Sequence, residues 1–174
     1  IRLGLVGSEM CIRDSAIEEA GADLGFRWYG ARALLSMRLE KGWGVWTMEY
    51  RPDFNAVESG MDVFINWKKD FIGKEATLTA RNEGVSQKLL TMVIDTDGID
   101  VVHDEAILKD GTPVGYVSSG GYAHHVGQSM AMGYVATEFA APGTTLQVEI
   151  LGRLYDAEVL SGPIYDANGV YMRS

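Results

Sequence analysis

The spacing of apolar positions changes near residue 84. Before that point apolar residues recur three and four apart; after it they alternate with polar ones. The segment "AIEEAGADLG" (Ala16 to Gly25) predicts a helix with its carboxylates early, where the helix dipole favours them. "ARALLSMRLEKG" predicts a second helix, Ala31 to Gly42. It sets Leu34, Leu35 and Leu39 on one stripe, with Arg38 and Lys41 beside it and Gly42 placed to cap the end. An irregular aromatic stretch follows, and then "KEATLTARNEG" predicts a short helix ending at Gly84.

Beyond Gly84, "KLLTMVIDT" reads as a strand, and "AILKDGTPVGYV" as a hairpin turning at Asp110-Gly111, a dipeptide suited to positive φ. "MAMGYVA" is a further strand. In "TLQVEILGRLYDAEVL", Leu146, Val148 and Ile150 alternate with Gln147 and Glu149 before Gly152-Arg153 turns the chain back. Strands this closely spaced predict a small antiparallel barrel or sandwich. The organisation is α+β: helices first, compact β-domain second.

The first fifteen residues stand apart. "IRLGLVG" starts like a buried strand, but "SEMCIRDS" continues with neither helical nor strand period. The stretch lacks the long apolar core and small-residue cleavage site of a signal peptide, and Gly4 and Gly7 do not complete a dinucleotide fingerprint. It resembles translated linker sequence. Residues 1–15 are therefore set aside as non-native, Cys11 with them.

Composition narrows the function. Of the 174 residues 47% are hydrophobic and 22% charged, which supports a buried core. A formal charge of -9 and the absence of clustered Lys and Arg argue against nucleic acid. No apolar run reaches the roughly 20 residues of a membrane span. A single cysteine allows no internal disulfide and fits a reducing compartment, here read as the cytoplasm, or the mitochondrial matrix in a eukaryote.

Candidate chemistry centres on three places. His124-His125, in "GYVSSGGYAHHVGQSMAMGYV", invites a metal, but adjacent side chains on extended backbone diverge and zinc needs three or four ligands. No metal is expected. The same glycines lack the Lys-Ser/Thr end and following helix of a phosphate loop. Arg32, Arg38 and Glu40 read by default as a solvated helix face; the functional alternative is an arginine holding a ligand carboxylate in bidentate geometry. Trp43, Trp46, Tyr50, Phe54, Phe64 and Trp67 suit a core, or a platform for a flat heterocycle. Lys68, Lys69 and Lys74 nearby suit an acidic ligand or a plain exposed edge.

Taken together, "GARALLSMRLEKGWGVW", "VESGMDVF", "KKDFIGKEA" and "GYVSSGGYAHHVGQSMAMGYV…APGTTLQVEILG" resemble the C-terminal region of FAD-dependent dimethylglycine and sarcosine dehydrogenases. That region is similar to the aminomethyltransferase (T-protein) of glycine cleavage. "RLEKGWGVW" and "SSGGYAHHVG" look like the dehydrogenase form. The resemblance implies that residues 16–84 are the C-terminal part of an aminomethyltransferase-like folate-binding domain and residues 85–174 its small antiparallel β-barrel. It implies tetrahydrofolate as cofactor, polyglutamylated forms included, and an FAD domain of the same polypeptide as partner. The one-carbon unit would be captured as 5,10-methylenetetrahydrofolate.

By the same resemblance Arg32, Phe64 and Tyr171 match folate-contacting positions, although Arg32 precedes Arg38 by six residues where the T-protein pattern has four. Glu40 and Glu58 are read as structural. The catalytic aspartate and pterin-reading glutamate are expected upstream of Ala16, so no catalytic residue is expected in this chain and no turnover by it alone. Two alternatives are a glycine-cleavage aminomethyltransferase partnered by a lipoyl carrier protein, and a folate-binding module without chemistry.

Overall fold

A computed structural model describes residues 4–171 and 173, with side chains from residue 11 onward. The chain divides after Ala31 into two compact units. In the first, one helix, α1 (Gly4–Gly21), runs into a turn of 3₁₀ helix at Ala22–Leu24 that Gly25 ends with a left-handed φ of 72°. The helix predicted from Ala16 therefore begins at Gly4. Residues 1–3 of the expected strand lie outside the described residues. The rest of that stretch is helical without an apolar stripe, which is why periodicity could not reveal it; Ile12 and Ile17 are exposed.

The second unit takes in α2 (Ala31–Glu40) from Arg32 onward, continues through the irregular aromatic segment and α3 (Lys74–Glu83), and closes with six strands. These are β1 (Gln87–Ile94), β2 (Ala106–Lys109), β3 (Thr112–Ala123), β4 (Gln128–Ala136), β5 (Thr145–Ile150) and β6 (Arg153–Val159). All pairings are antiparallel and the order β1-β4-β3-β2-β5-β6 closes into a barrel. Of the two β architectures the spacing allowed, the barrel is the one formed. The predicted turn at Asp110-Gly111 is present, with φ of 50° and 78°.

Alternation sorts the core. Ile94, Ile107, Val117, Ala131, Val135, Leu146, Val148 and Ile150 belong to one buried cluster inside the barrel. β4 is buried on both faces: Met130 and Met132 join Leu39 of α2 in a second cluster, and Tyr134 stacks on Phe54 with ring centroids 3.7 Å apart. An apolar run such as "MAMGYV" is what a doubly covered strand requires. β3 and β4 also approach unusually closely. A Cβ on Gly115 would lie 2.2 Å from the Tyr134 carbonyl oxygen, and one on Gly133 2.5 Å from that of Tyr116.

α2 departs from its predicted face. Leu34 and Leu35 are exposed, whereas Ser36, Arg38, Leu39 and Glu40 are buried. Arg38 is thus not a solvated residue. The helix leans on the barrel through its last turn, and polar side chains are tolerated there because the barrel and the following loop supply partners.

Candidate functional site

Those partners form a buried polar lock. The chain leaves α2 through Gly42, whose φ of 62° lets the Gly42 and Trp43 N–H groups bond back to Leu39 and Arg38 carbonyls. It then turns over residues 45–50, where Glu49 Oε2 accepts the Val45 N–H at 2.8 Å. The Glu49 carboxylate is wholly buried. Arg38 Nη1 donates to Glu49 Oε2 and to the Trp43 carbonyl, each at 3.3 Å, and Nη2 donates to Ser119 Oγ at 2.7 Å. Ser118 Oγ donates to Glu49 Oε1 at 2.7 Å, and Ser119 Oγ contacts the same oxygen.

Consecutive residues of a regular strand face opposite ways. Ser118 and Ser119 both reach Glu49 because β3 shifts register between Val117 and Ser119, a bulge that re-aims one side chain. Burial lowers the Arg38 pKa, and the charge of Glu49 opposes that shift. Tyr134 stands behind the lock, its hydroxyl 2.8 Å from the Glu49 carbonyl and 3.1 Å from Ser59 Oγ; burial pushes its pKa up to about 12. One group is left over: Arg38 Nε is buried without a partner.

A cleft of about 390 Å³ opens beside this lock, lined by Arg32, Arg38, Ser119, Tyr122, His103 and His124 among others. Ser36 Oγ fixes its wall by donating to the Tyr122 carbonyl at 2.9 Å and accepting the His124 N–H at 3.0 Å. Arg32 is exposed at this cleft and makes no hydrogen bond or ion pair among the described residues. The site can therefore offer a free guanidinium, flanked by hydroxyls and one aromatic ring, to an anionic group.

The structure separates the three residues singled out from sequence. Arg32 lines the cleft. Phe64 is 66% exposed and packs edge-on against Trp43 at 6.0 Å. Tyr171 is 73% exposed and stacks on Tyr165 at 6.2 Å. Neither of the latter two lines the Arg32 cleft.

The remaining candidates find local partners. His124 packs against Tyr122 and His125 against Tyr165, so the two imidazoles diverge. Among the described residues no three His, Cys, Asp or Glu side chains gather to hold a metal. Glu40 Oε1 accepts the His125 N–H at 2.7 Å, and Glu58 accepts the Asn55 N–H and the Gln87 side-chain amide. Lys74 pairs with Asp70, while Lys68 and Lys69 are exposed. In "SSGGYAHHVG", residues 118–123 belong to β3 and 124–127 make the turn into β4. Gly120 serves close approach within the strand, since a Cβ there would lie 2.3 Å from Val101 Cγ1.

Sequence reasoning missed the lock itself. One signal was available: Glu49 is a lone carboxylate in the bulky stretch "WGVWTMEY", and a buried carboxylate requires a cation or donors.

The chain is similar in sequence and fold to known proteins. Residues 14–69 match the family model described as the GCVT N-terminal domain, and residues 87–166 that of the glycine cleavage T-protein C-terminal barrel domain. Mitochondrial dimethylglycine dehydrogenase of Mus musculus is 34% identical over 150 residues, which cover 85% of this chain and 17% of that protein. The 4-methylaminobutanoate oxidase (formaldehyde-forming) of Paenarthrobacter nicotinovorans is 31% identical over 160 residues, 91% of this chain and 19% of that protein. The crystal structure of the glycine cleavage system aminomethyltransferase T from Bartonella henselae superposes with a TM-score of 0.80 at 25% identity, covering 90% of this chain and 44% of that one. The chain thus spans less than a fifth of the dehydrogenase and oxidase, and less than half of the aminomethyltransferase. Both family models match in the order that the fold displays, helices before barrel, and the chain belongs to the glycine cleavage T-protein family.

Proposed function

We propose that this chain is the tetrahydrofolate-binding part of a larger FAD-dependent oxidoreductase acting on an N-methyl amine such as dimethylglycine or sarcosine. The observation that carries this reading is the match to dimethylglycine dehydrogenase over 85% of this chain but only 17% of that protein. A formaldehyde-forming oxidase of an N-methylamino acid matches in the same way. Such proteins have ample length elsewhere for the oxidising domain, and the one-carbon unit they release is what a folate acceptor takes.

Bound tetrahydrofolate would supply the nitrogen nucleophiles that capture that unit as 5,10-methylenetetrahydrofolate. The residues of this chain bind and orient. Arg32 fits the glutamyl carboxylate of folate, being an unpaired guanidinium at a cleft with Ser119 and Tyr122 alongside. Phe64 and Tyr171 are proposed as aromatic contacts of the same ligand, outside that cleft. The buried Arg38–Glu49 pair holds the last turn of α2, and thereby Arg32, against the barrel. Residues 16–84 and 85–174 are the two functional segments. Residues 1–15 are not assigned a role in binding. The reaction belongs to the whole polypeptide, in the cytoplasm, or in the mitochondrial matrix where the source is eukaryotic; the mouse relative's name calls that protein mitochondrial.

Titration of the chain with tetrahydrofolate tests the reading. Arg32→Ala is expected to weaken binding about 10- to 100-fold, the ~1.5–3 kcal/mol of a hydrogen bond to a charged group. Unchanged affinity would remove Arg32 from the site. A glycine-cleavage aminomethyltransferase is the second reading, favoured by the superposition on the Bartonella henselae protein. Flavin absorbance in the polypeptide expressed with its upstream sequence, bleached by dimethylglycine or sarcosine, selects the dehydrogenase. Folate binding without flavin or turnover selects a bare binding module.

A further inference from the structure

The side chains of α2 that meet the end of β3 form one stripe. Arg32, Ser36 and Glu40 are spaced by four, so they lie above one another on a single side of the helix. Arg38, two residues from Ser36, leaves the helix on another side, toward Glu49. Ser36 is 9% exposed and Glu40 3%. Both direct their oxygens to the backbone where β3 turns toward β4. Ser36 Oγ accepts the His124 N–H at 3.0 Å and donates to the Tyr122 carbonyl at 2.9 Å, and Glu40 Oε1 accepts the His125 N–H at 2.7 Å.

This part of β3 has a side without a strand. β4 pairs with it as far as Ala123, whereas the ladder to β2 stops at Tyr116. Buried backbone groups beyond that point need partners from elsewhere. Ser36 takes a carbonyl and an N–H two residues apart, the pair that an added strand would take. Tyr122 and His124, whose backbone is fixed in this way, line the Arg32 cleft. Arg32 itself stands one helical turn before Ser36 on the same stripe, its guanidinium unpaired.

We infer that Ser36 and Glu40 are positioning residues for a carboxylate site at Arg32. Consecutive N–H groups of the turn, held by side chains one helical turn apart, set both the rotation of α2 and its height along β3. A slip of α2 by one residue would turn its stripe by about 100° and carry Arg32 away from the cleft. Ligand contact falls to Arg32, and Ser36 and Glu40 act through it. The inference rests on the proposal above that Arg32 binds a carboxylate, but not on that carboxylate belonging to folate.

Calorimetric titration of the 174-residue chain with tetrahydrofolate and with glutarate, a plain dicarboxylate, tests it through a double-mutant cycle. Ser36→Ala should weaken binding about 3- to 10-fold while Arg32 is present, the size of effect expected of a residue acting through another. In the Arg32→Ala chain the same substitution should change tetrahydrofolate affinity by less than about twofold. A merely structural Ser36 would weaken binding by the same factor in both backgrounds, and that result would overturn the inference. Ser36→Thr, which keeps the hydroxyl, should restore affinity. Glu40 gives a second route where Ser36→Ala does not fold: Glu40→Ala should weaken binding and Glu40→Gln restore it, because the amide oxygen still accepts the His125 N–H. Glutarate binding with this dependence on Ser36 and Glu40, without tetrahydrofolate binding, removes the folate reading and leaves the inference standing. Binding of neither ligand into the tens of millimolar overturns it, as does affinity untouched by Ser36→Ala and Glu40→Ala in folded chains.

Discussion

Replacing Glu49 with alanine removes the one carboxylate in the lock. Arg38 then keeps only the Trp43 carbonyl and Ser119 Oγ as oxygen partners, with its Nε already unpaired, while Val45 N–H loses its acceptor. Arg38, only 7% exposed as a residue, cannot recover hydration without moving α2. Breaking a buried pair from one side costs about 3–5 kcal/mol, against a total stability of roughly 5–15 kcal/mol for a domain. At about 2–4 °C per kcal/mol for a chain of this size, the melting temperature should fall by about 6–20 °C.

Arg38→Met with Glu49→Leu removes both charges, and the groups it leaves short of oxygen partners, the Val45 N–H, the Trp43 carbonyl and Ser119 Oγ, are all neutral and cost less than a buried guanidinium without its carboxylate. The double variant should therefore be more stable than Glu49→Ala. Urea denaturation followed by circular dichroism across a double-mutant cycle measures this directly. A Glu49→Ala loss below about 1 kcal/mol, or single effects that simply add, would refute the claim that the pair carries the helix–barrel contact. The exposed Lys74–Asp70 pair is the control, with Asp70→Asn expected to change stability by less than about 1 kcal/mol.

Other outcomes follow from the same geometry. Gly115→Ala and Gly133→Ala each push a methyl into a backbone carbonyl across the β3–β4 ladder and should each cost about 1–3 kcal/mol or more in urea denaturation. Tyr134→Phe leaves the buried Glu49 carbonyl without its donor, at about 1–3 kcal/mol. In an ultraviolet titration Tyr134 should ionise near 12; because its folded pKa is raised, the associated stability is present below about pH 10 and lost as pH rises through that value. Burial opposes ionisation of Asp166, yet the Val170 N–H and the Lys41 ammonium outweigh it and lower the pKa. Its contribution is accordingly present above about pH 5 and lost as pH falls through and below the ordinary aspartate range. Limited proteolysis after Leu160 should accelerate on acidification, and Asp166→Asn should give the acid-state rate at neutral pH.

How far the sequence predicted this molecule depends on the range of the interaction. Asp110-Gly111, the alternation in "TLQVEI" and the end of α2 at Gly42 are governed by neighbours a few residues away, and each is found where its spacing places it. Arg38 was read as solvated because a helical repeat reports which residues share a side, and says nothing of what lies opposite. Its partners are Glu49, eleven residues on in an irregular loop, and Ser119, eighty-one residues on beyond a bulge. Likewise Lys41 meets Asp166 across 125 residues. Arg32 could be proposed from resemblance, but its freedom from any partner required coordinates.

The barrel's seams are uneven. β3 and β4 pair over eight residue pairs, as do β1 and β4, but β6 holds β1 through three and β5 holds β2 through two. The β5–β6 hairpin is therefore attached to the other four strands by its two shortest ladders, while its own ladder of six pairs is intact. Residues 145–159 make a cassette: a piece that can come away whole, carrying Leu146, Val148, Ile150, Ala157 and Val159 out of the core together. Hydrogen exchange should show these amides opening in concert. In concentrated solution the same cassette is the element two copies would trade.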